Sequence, residues 1–126
     1  MERSKSGYSW RAYSAPRAVE ELERLSKWTD LSRWVINIAD PLFGFQRAWR
    51  REVLSGIIER GLLPRQYWTL TRSDDLTEED ISLLARARFS IGIGLESGSP
   101  TMLRQMQKGN TAERYLGAVS YTHLTL

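Results

Sequence analysis

A chain of 126 residues holds one domain or part of one, and at that length it buries roughly 65% of its unfolded surface, enough for a core. Its 41% hydrophobic and 26% charged residues are those of a globular protein; no apolar run nears the ~20 residues of a membrane span, and no apolar leader opens the chain, so a cytoplasmic location is expected. Zero cysteine excludes disulfides, thiolate nucleophiles and cysteine-ligated zinc or iron–sulfur sites within the chain, and the single histidine, His123, cannot form a histidine metal cluster.

The net charge of +3 is spread along the chain, with Arg47, Arg50 and Arg51 as the densest group. It reads as a solvated surface rather than a nucleic-acid footprint. Residues 1–13 are polar and aromatic without clear period, an arm or loop. Ser14 can cap a helix with Pro16 at its second position, running to about Lys27, with Ala18, Leu22 and Leu25 as its apolar face. Trp34 to Ala39 is short and β-branched before Asp40-Pro41, which predicts a buried strand. Phe43-Gly44-Phe45 then turns the chain. Gln46 to Arg60 carries Trp49, Val53, Leu54, Ile57 and Ile58 on one helical stripe, and Gly61 follows where a C-terminal glycine cap belongs.

Gln66 to Thr71 is a second strand, ending at Arg72-Ser73-Asp74. Thr77-Glu78-Glu79-Asp80 opens the next helix with a capping hydroxyl and three acids at its positive end; Ile81, Leu84 and Ala85 form its inner side. Ser90 to Leu95 is the third strand. Ser99-Pro100 opens a helix with Met102, Leu103 and Met106 inward, and Asn110 to Glu113 is a capping box for one more. Strands that alternate with helices predict an α/β fold with about three parallel strands and right-handed crossovers, either a small open sheet or part of a (β/α) barrel. Because the strands are continuous apolar runs, both sheet faces are expected to be covered. The core domain is taken as residues 14–118. The tail 119–126 (VSYTHLTL) breaks the helical pattern and resembles translated sequencing adapter, so His123 carries no functional weight.

The strand ends carry the chemistry: Asp40, then Arg72 with Asp74, then Glu96 with Ser97 and Ser99. In a parallel sheet these tips share one edge and can surround one ligand. Carboxylates suit an ammonium, a guanidinium takes a carboxylate bidentately, and hydroxyls suit a ribose, so an amino-acid nucleotide matches the set. Each residue also has a plainer reading. Asp40 before Pro41 can be a turn acid, Arg72 can pair with Asp74, Asp74 and Asp75 can cap the next helix, and Ser97 to Ser99 can be a turn with its N-cap. Glu96 ends an apolar strand, where a carboxylate costs desolvation unless something pairs with it. Gly92 and Gly94 suit close approach of a backbone or ligand, or relieve crowding against a helix.

Ile36 to Gly44, Tyr67-Trp68 followed by Arg72 to Asp74, and Gly92 to Ser99 with Leu103 to Lys108 together resemble the radical S-adenosylmethionine enzymes, most of all those with a cobalamin-binding domain ahead of the radical domain. The likeness runs from about Arg11 to Ala118. It implies a partial (β/α)6 barrel with a four-iron, four-sulfur cluster on three cysteines spaced C-x3-C-x2-C after the first strand. The cluster would bind S-adenosylmethionine and cleave it to a 5′-deoxyadenosyl radical. The strand at Trp34 would then be the barrel's second. Asp40 would lie by the methionine moiety, Arg72 at the third tip, and Glu96, Ser97 and Ser99 where the fourth tip approaches the ligand.

The chain departs from that pattern in having no cysteine, so the cluster ligands are absent. The expectation is a piece of such an enzyme, inactive as it stands, whose partner is the missing N-terminal part of the same protein. The substrate is open. Cobalamin use is possible, although nothing in the chain reads as a cobalamin-binding domain. Two other readings compete: a cysteine-free α/β module that binds a nucleotide or partner without catalysis, and a different barrel enzyme using Asp40, Asp74 and Glu96 as acid, base or divalent-metal ligands. Anaerobic reconstitution with iron and sulfide is expected to give no stoichiometric cluster, read from absence of the broad sulfide-to-iron absorbance band; its appearance would overturn the assignment of missing ligands.

Overall fold

The structure, a computed structural model, describes residues 11–72 and 76–93. The elements run α1 (Ala15–Trp28), a short 3-10 turn (Leu31–Arg33), β1 (Val35–Asn37), α2 (Arg47–Glu59), β2 (Gln66–Thr71), α3 (Glu78–Arg86) and β3 (Phe89–Ile93). The three strands form one sheet in the order β1-β2-β3, all parallel. Val35 lies opposite Gln66 and Asn37 opposite Trp68, while Tyr67 faces Phe89 and Thr71 faces Ile93. This is the expected α/β alternation; among the described residues the sheet is open and not closed into a barrel.

Local chemistry sets the element ends. At the close of α2, the Leu62 amide reaches back to the Ile57 carbonyl at 3.0 Å and the Gly61 amide to Ile58 at 3.2 Å, a Schellman motif. Gly61 has φ +63°, which a side chain would strain. Thr77 caps α3 reciprocally. Its hydroxyl accepts from the Asp80 amide, and the Asp80 carboxylate accepts from the Thr77 amide at 3.0 Å. Ser14 stands at the N-cap position of α1 with Pro16 in the first turn, but its hydroxyl makes no capping bond.

One face of the sheet carries the core. Tyr67, Thr69 and Thr71 of β2 point under the helices and are buried, with Val19 of α1, Val53, Leu54 and Ile57 of α2, Leu84 of α3 and Phe89 of β3. Fully burying each large apolar side chain contributes about 1.5–3 kcal/mol. The Tyr67 and Phe89 rings stack at 4.6 Å, and Phe43 from the loop after β1 stacks on Phe89 at 5.1 Å. The Tyr67 hydroxyl donates to the Leu62 carbonyl at 2.8 Å, and burial pushes its pKa up to about 12, so the phenol stays protonated.

The other face differs from expectation. Trp68 and Leu70 are each 40% exposed, and Val35 is 54% exposed, so burial along β2 alternates. Aromatic and aliphatic side chains on both faces hid that alternation in the sequence. Gly92 serves this open face: a methyl there would come within 2.7 Å of Leu70 Cδ2 and 3.3 Å of the Trp68 ring. It relieves crowding from side chains of the neighbouring strand. In α1 the expected Ala18 and Leu22 do pack against the core, but the fully buried residues are Ala15 and Val19, and Leu25 is 42% exposed, so the inner face is centred beside the expected stripe and excludes its last member.

Helix α1 packs against α2, and a methyl on Gly56 would lie 2.8 Å from Val19 Cγ2. Gly56→Leu is therefore expected to lower stability by roughly 1–3 kcal/mol in urea denaturation, and Val19→Ala in the same chain to recover part of the loss.

Candidate functional site

Parallel pairing sends the segments that leave β1 and β2 to the same edge of the sheet. The loop after β1 is fastened there. The Ile38 amide donates to the Trp68 carbonyl and the Phe43 amide to Leu70, both at 2.9 Å; the Thr71 hydroxyl donates to the Phe43 carbonyl at 3.4 Å. With its ring buried against Phe89, Phe43 anchors residues 40–45 as a rim over the end of β2.

Asp40 and Arg72 both stand on this rim, as the strand order requires. Asp40 is half-buried, and one carboxylate oxygen accepts from the Leu42 amide at 2.9 Å, the turn role that Asp before Pro often takes. Arg72 is half-buried and lines a cleft of about 310 Å³ with the rim residues Leu42 to Phe45, Thr71 and Arg50. Asp40 is not among the residues that form that cleft. Asp74, Asp75, Glu96, Ser97, Ser99, Gly94 and His123 lie outside the described residues, as do the expected helices beyond Pro100 and the tail. Among the described residues no group of three His, Cys, Asp or Glu side chains is placed to hold a metal ion, and no helix is long and apolar enough to cross a membrane.

Beneath the cleft lies a charged cluster in which arginines expected on a solvated surface meet Asp80, one of the acids expected at the start of α3. Asp80 is fully buried and Arg50 is 1% exposed. The Asp80 carboxylate takes the Arg51 Nε at 2.9 Å, the Thr77 hydroxyl at 2.7 Å and the Thr77 amide at 3.0 Å. The Arg50 guanidinium lies 3.4 Å from Asp80 Oδ2, and Arg47 stands 3.8 Å from the same oxygen. Arg51 also bonds the Thr77 hydroxyl at 3.0 Å and pairs with Glu79 at 2.5 Å. From the opposite side, Arg50 donates to the Gly44 carbonyl at 2.8 Å. Gly44 has φ +64°, and a methyl there would meet Arg50 Cβ at 2.6 Å, so rim and guanidinium close on each other only through glycine.

Burial raises the cost of ionising Asp80, yet the bonds from Arg51 and Thr77 and the Arg50 charge outweigh it and hold its carboxyl well below the usual carboxylate range. Arg50 was legible in principle, since position 50 continues the stripe of Val53, Leu54 and Ile57 at helical spacing.

No protein-family model matches the chain, and no curated protein matches it.

A carboxyl depressed on folding contributes stability above its unfolded pKa of about 3.9, and that stability is lost as pH falls from there toward the folded value. The chain is therefore expected to lose stability steadily below about pH 4. Asp80→Asn should flatten this dependence and, by leaving guanidiniums buried without their counter-ion, cost roughly 3–5 kcal/mol at pH 7. Urea midpoints measured from pH 7 down to acid check both.

Proposed function

We propose that the chain is an S-adenosylmethionine-binding α/β unit of the radical S-adenosylmethionine type, with the ligand held on the rim at the C-terminal ends of the strands. One observation supports this above the rest: Arg72 ends the central strand of a parallel sheet and opens into a cleft of about 310 Å³ on the edge that also carries Asp40. Such edges are where α/β folds keep their ligands. A guanidinium there suits the α-carboxylate of an amino-acid nucleotide, and the free oxygen chemistry of Asp40 suits its ammonium. Glu96, Ser97 and Ser99, which follow β3 in the sequence, supply the acceptor and hydroxyls a ribose requires.

When bound, S-adenosylmethionine brings a sulfonium that one-electron reduction can cleave. The residues of this chain bind and orient it. They do not fit an iron–sulfur cluster, because three thiolates are needed and the chain has no cysteine, so no electron-transfer step is assigned to it. The substrate-level reaction and any use of cobalamin are likewise assigned to no residue here.

Isothermal titration of the chain with S-adenosylmethionine is expected to give saturable one-to-one binding, weakened about tenfold or more by Glu96→Gln through loss of a charge-assisted hydrogen bond. No heat of binding up to millimolar ligand, or an affinity indifferent to Glu96→Gln, would overturn the reading.

A further inference from the structure

The edge of the sheet opposite the cleft gathers charge that is spread along the sequence. Because the strands are parallel, their entry points lie side by side, and an arginine stands at each: Arg33 before β1, Arg65 before β2 and Arg88 before β3. Neighbouring strands are about 4.8 Å apart, so the three entry points fall within roughly 10 Å. The helices finish at the same edge and bring Lys27 from the last turn of α1 and Arg86 from that of α3. All five cations are exposed. Among the described residues Lys27, Arg65, Arg86 and Arg88 form no ion pair; Arg88 donates to the neutral Pro64 carbonyl at 3.0 Å, which leaves its charge unmatched. The carboxylates at this end are few. Asp30 faces Arg33 and is taken up by the Ser32 amide and hydroxyl at 3.1 and 2.7 Å, Glu23 is matched by Arg60 at 3.1 Å, and Glu59 closes α2.

Beside these cations three large apolar side chains stand open: Leu25 at 42% exposure, Trp34 at 56% and Trp28 at 89%. They form one patch around Thr29, whose amide donates to the Leu25 carbonyl at 3.2 Å and whose hydroxyl accepts from the Trp34 indole at 2.9 Å. Arg65 adjoins it, its amide donating to the Trp34 carbonyl at 3.0 Å. Helix dipoles account for a lysine or arginine at a helix end, but not for two indoles left in water. An apolar patch rimmed by charge marks an interaction surface. We propose that this edge docks on an anionic phospholipid surface, with Trp28 and Trp34 among the headgroups and Lys27, Arg65 and Arg88 against lipid phosphates. Indoles favour the headgroup level of a bilayer, and basic side chains are drawn to its anionic leaflet. Trp28 projects from the end of its helix, which fits a plane; single-stranded nucleic acid is instead tracked along a charged groove. The attachment is peripheral, since no described helix is long and apolar enough to cross a membrane. It lies at the far edge from Asp40 and Arg72, so it stands apart from the S-adenosylmethionine reading.

The test is co-sedimentation of the full chain with phosphatidylcholine vesicles containing about one-third phosphatidylserine, and with vesicles of phosphatidylcholine alone. The chain is expected to sediment with the anionic vesicles and not the neutral ones, less so as salt rises, with a blue shift of its tryptophan emission. Arg65→Gln should weaken the partition about fivefold and Trp28→Ala about tenfold, the latter with a smaller blue shift. Both side chains are exposed, so urea midpoints of the two variants should match the parent and separate lost docking from lost folding. Equal sedimentation with both vesicle types, no sedimentation with the anionic ones, or a partition indifferent to both variants would overturn the proposal. So would saturable binding of an oligothymidylate, read by fluorescence anisotropy, in the absence of vesicle binding, which would make the edge a nucleic-acid surface.

Discussion

The buried carboxylate of Asp80 is the constraint on which the rest of this arrangement turns. It stands at the first turn of α3, receives the arginines of α2, and through Arg50 reaches the carbonyl of Gly44 in the rim loop. Three segments distant in sequence are thereby tied at one point. Such a cluster adds little net stability once the cost of removing its charges from water is counted, and an apolar replacement of similar volume can be as stable. Its contribution is geometric. A guanidinium has one plane and fixed bond directions, so a helix held by two of them cannot slide a turn without breaking both.

Stability comes from elsewhere, chiefly the aromatic and aliphatic layer under one face of the sheet. Tyr67, Phe89 and Phe43 form a continuous stack that joins the central strand, its neighbour and the rim loop. The same stack that fills the core therefore also fixes the height of the rim. Packing and site are coupled here through Phe43, whose ring is structural while its flanking backbone shapes the cleft.

Much of the fold was legible in the sequence. Alternating strands and helices, the glycine after α2 and the threonine-capped start of α3 carry strong local signals, because each reflects a backbone requirement that few residues meet. The placement of Asp40 and Arg72 on one edge follows from parallel topology alone. What could not be read was anything decided by tertiary partners. Arg50 and Asp80 look like surface charges until each is given the other; the stripe of Val53, Leu54 and Ile57 contained the hint, but a charge on an apolar face is more often a solvated border residue. In α1 the expected Ala18 and Leu22 do face the core, but the deeper burial of Ala15 and Val19 and the exposure of Leu25 depend on where α2 lies, which the helical stripe alone does not say. The alternation of β2 was masked by aromatic residues on its outer side.

The contact between Gly56 and Val19 has a consequence for how α1 finds its place. With no hydroxyl cap to mark its start, this helix is registered by a notch: a bare stretch of α2 backbone that admits one branched side chain. Shifting α1 along its axis would bring a different side chain to that gap and leave Val19 facing a filled position. A single absent methyl thus acts as an indexing mark, setting which residues of the first helix look inward and which, like Trp28 at 89% exposure, are left outside.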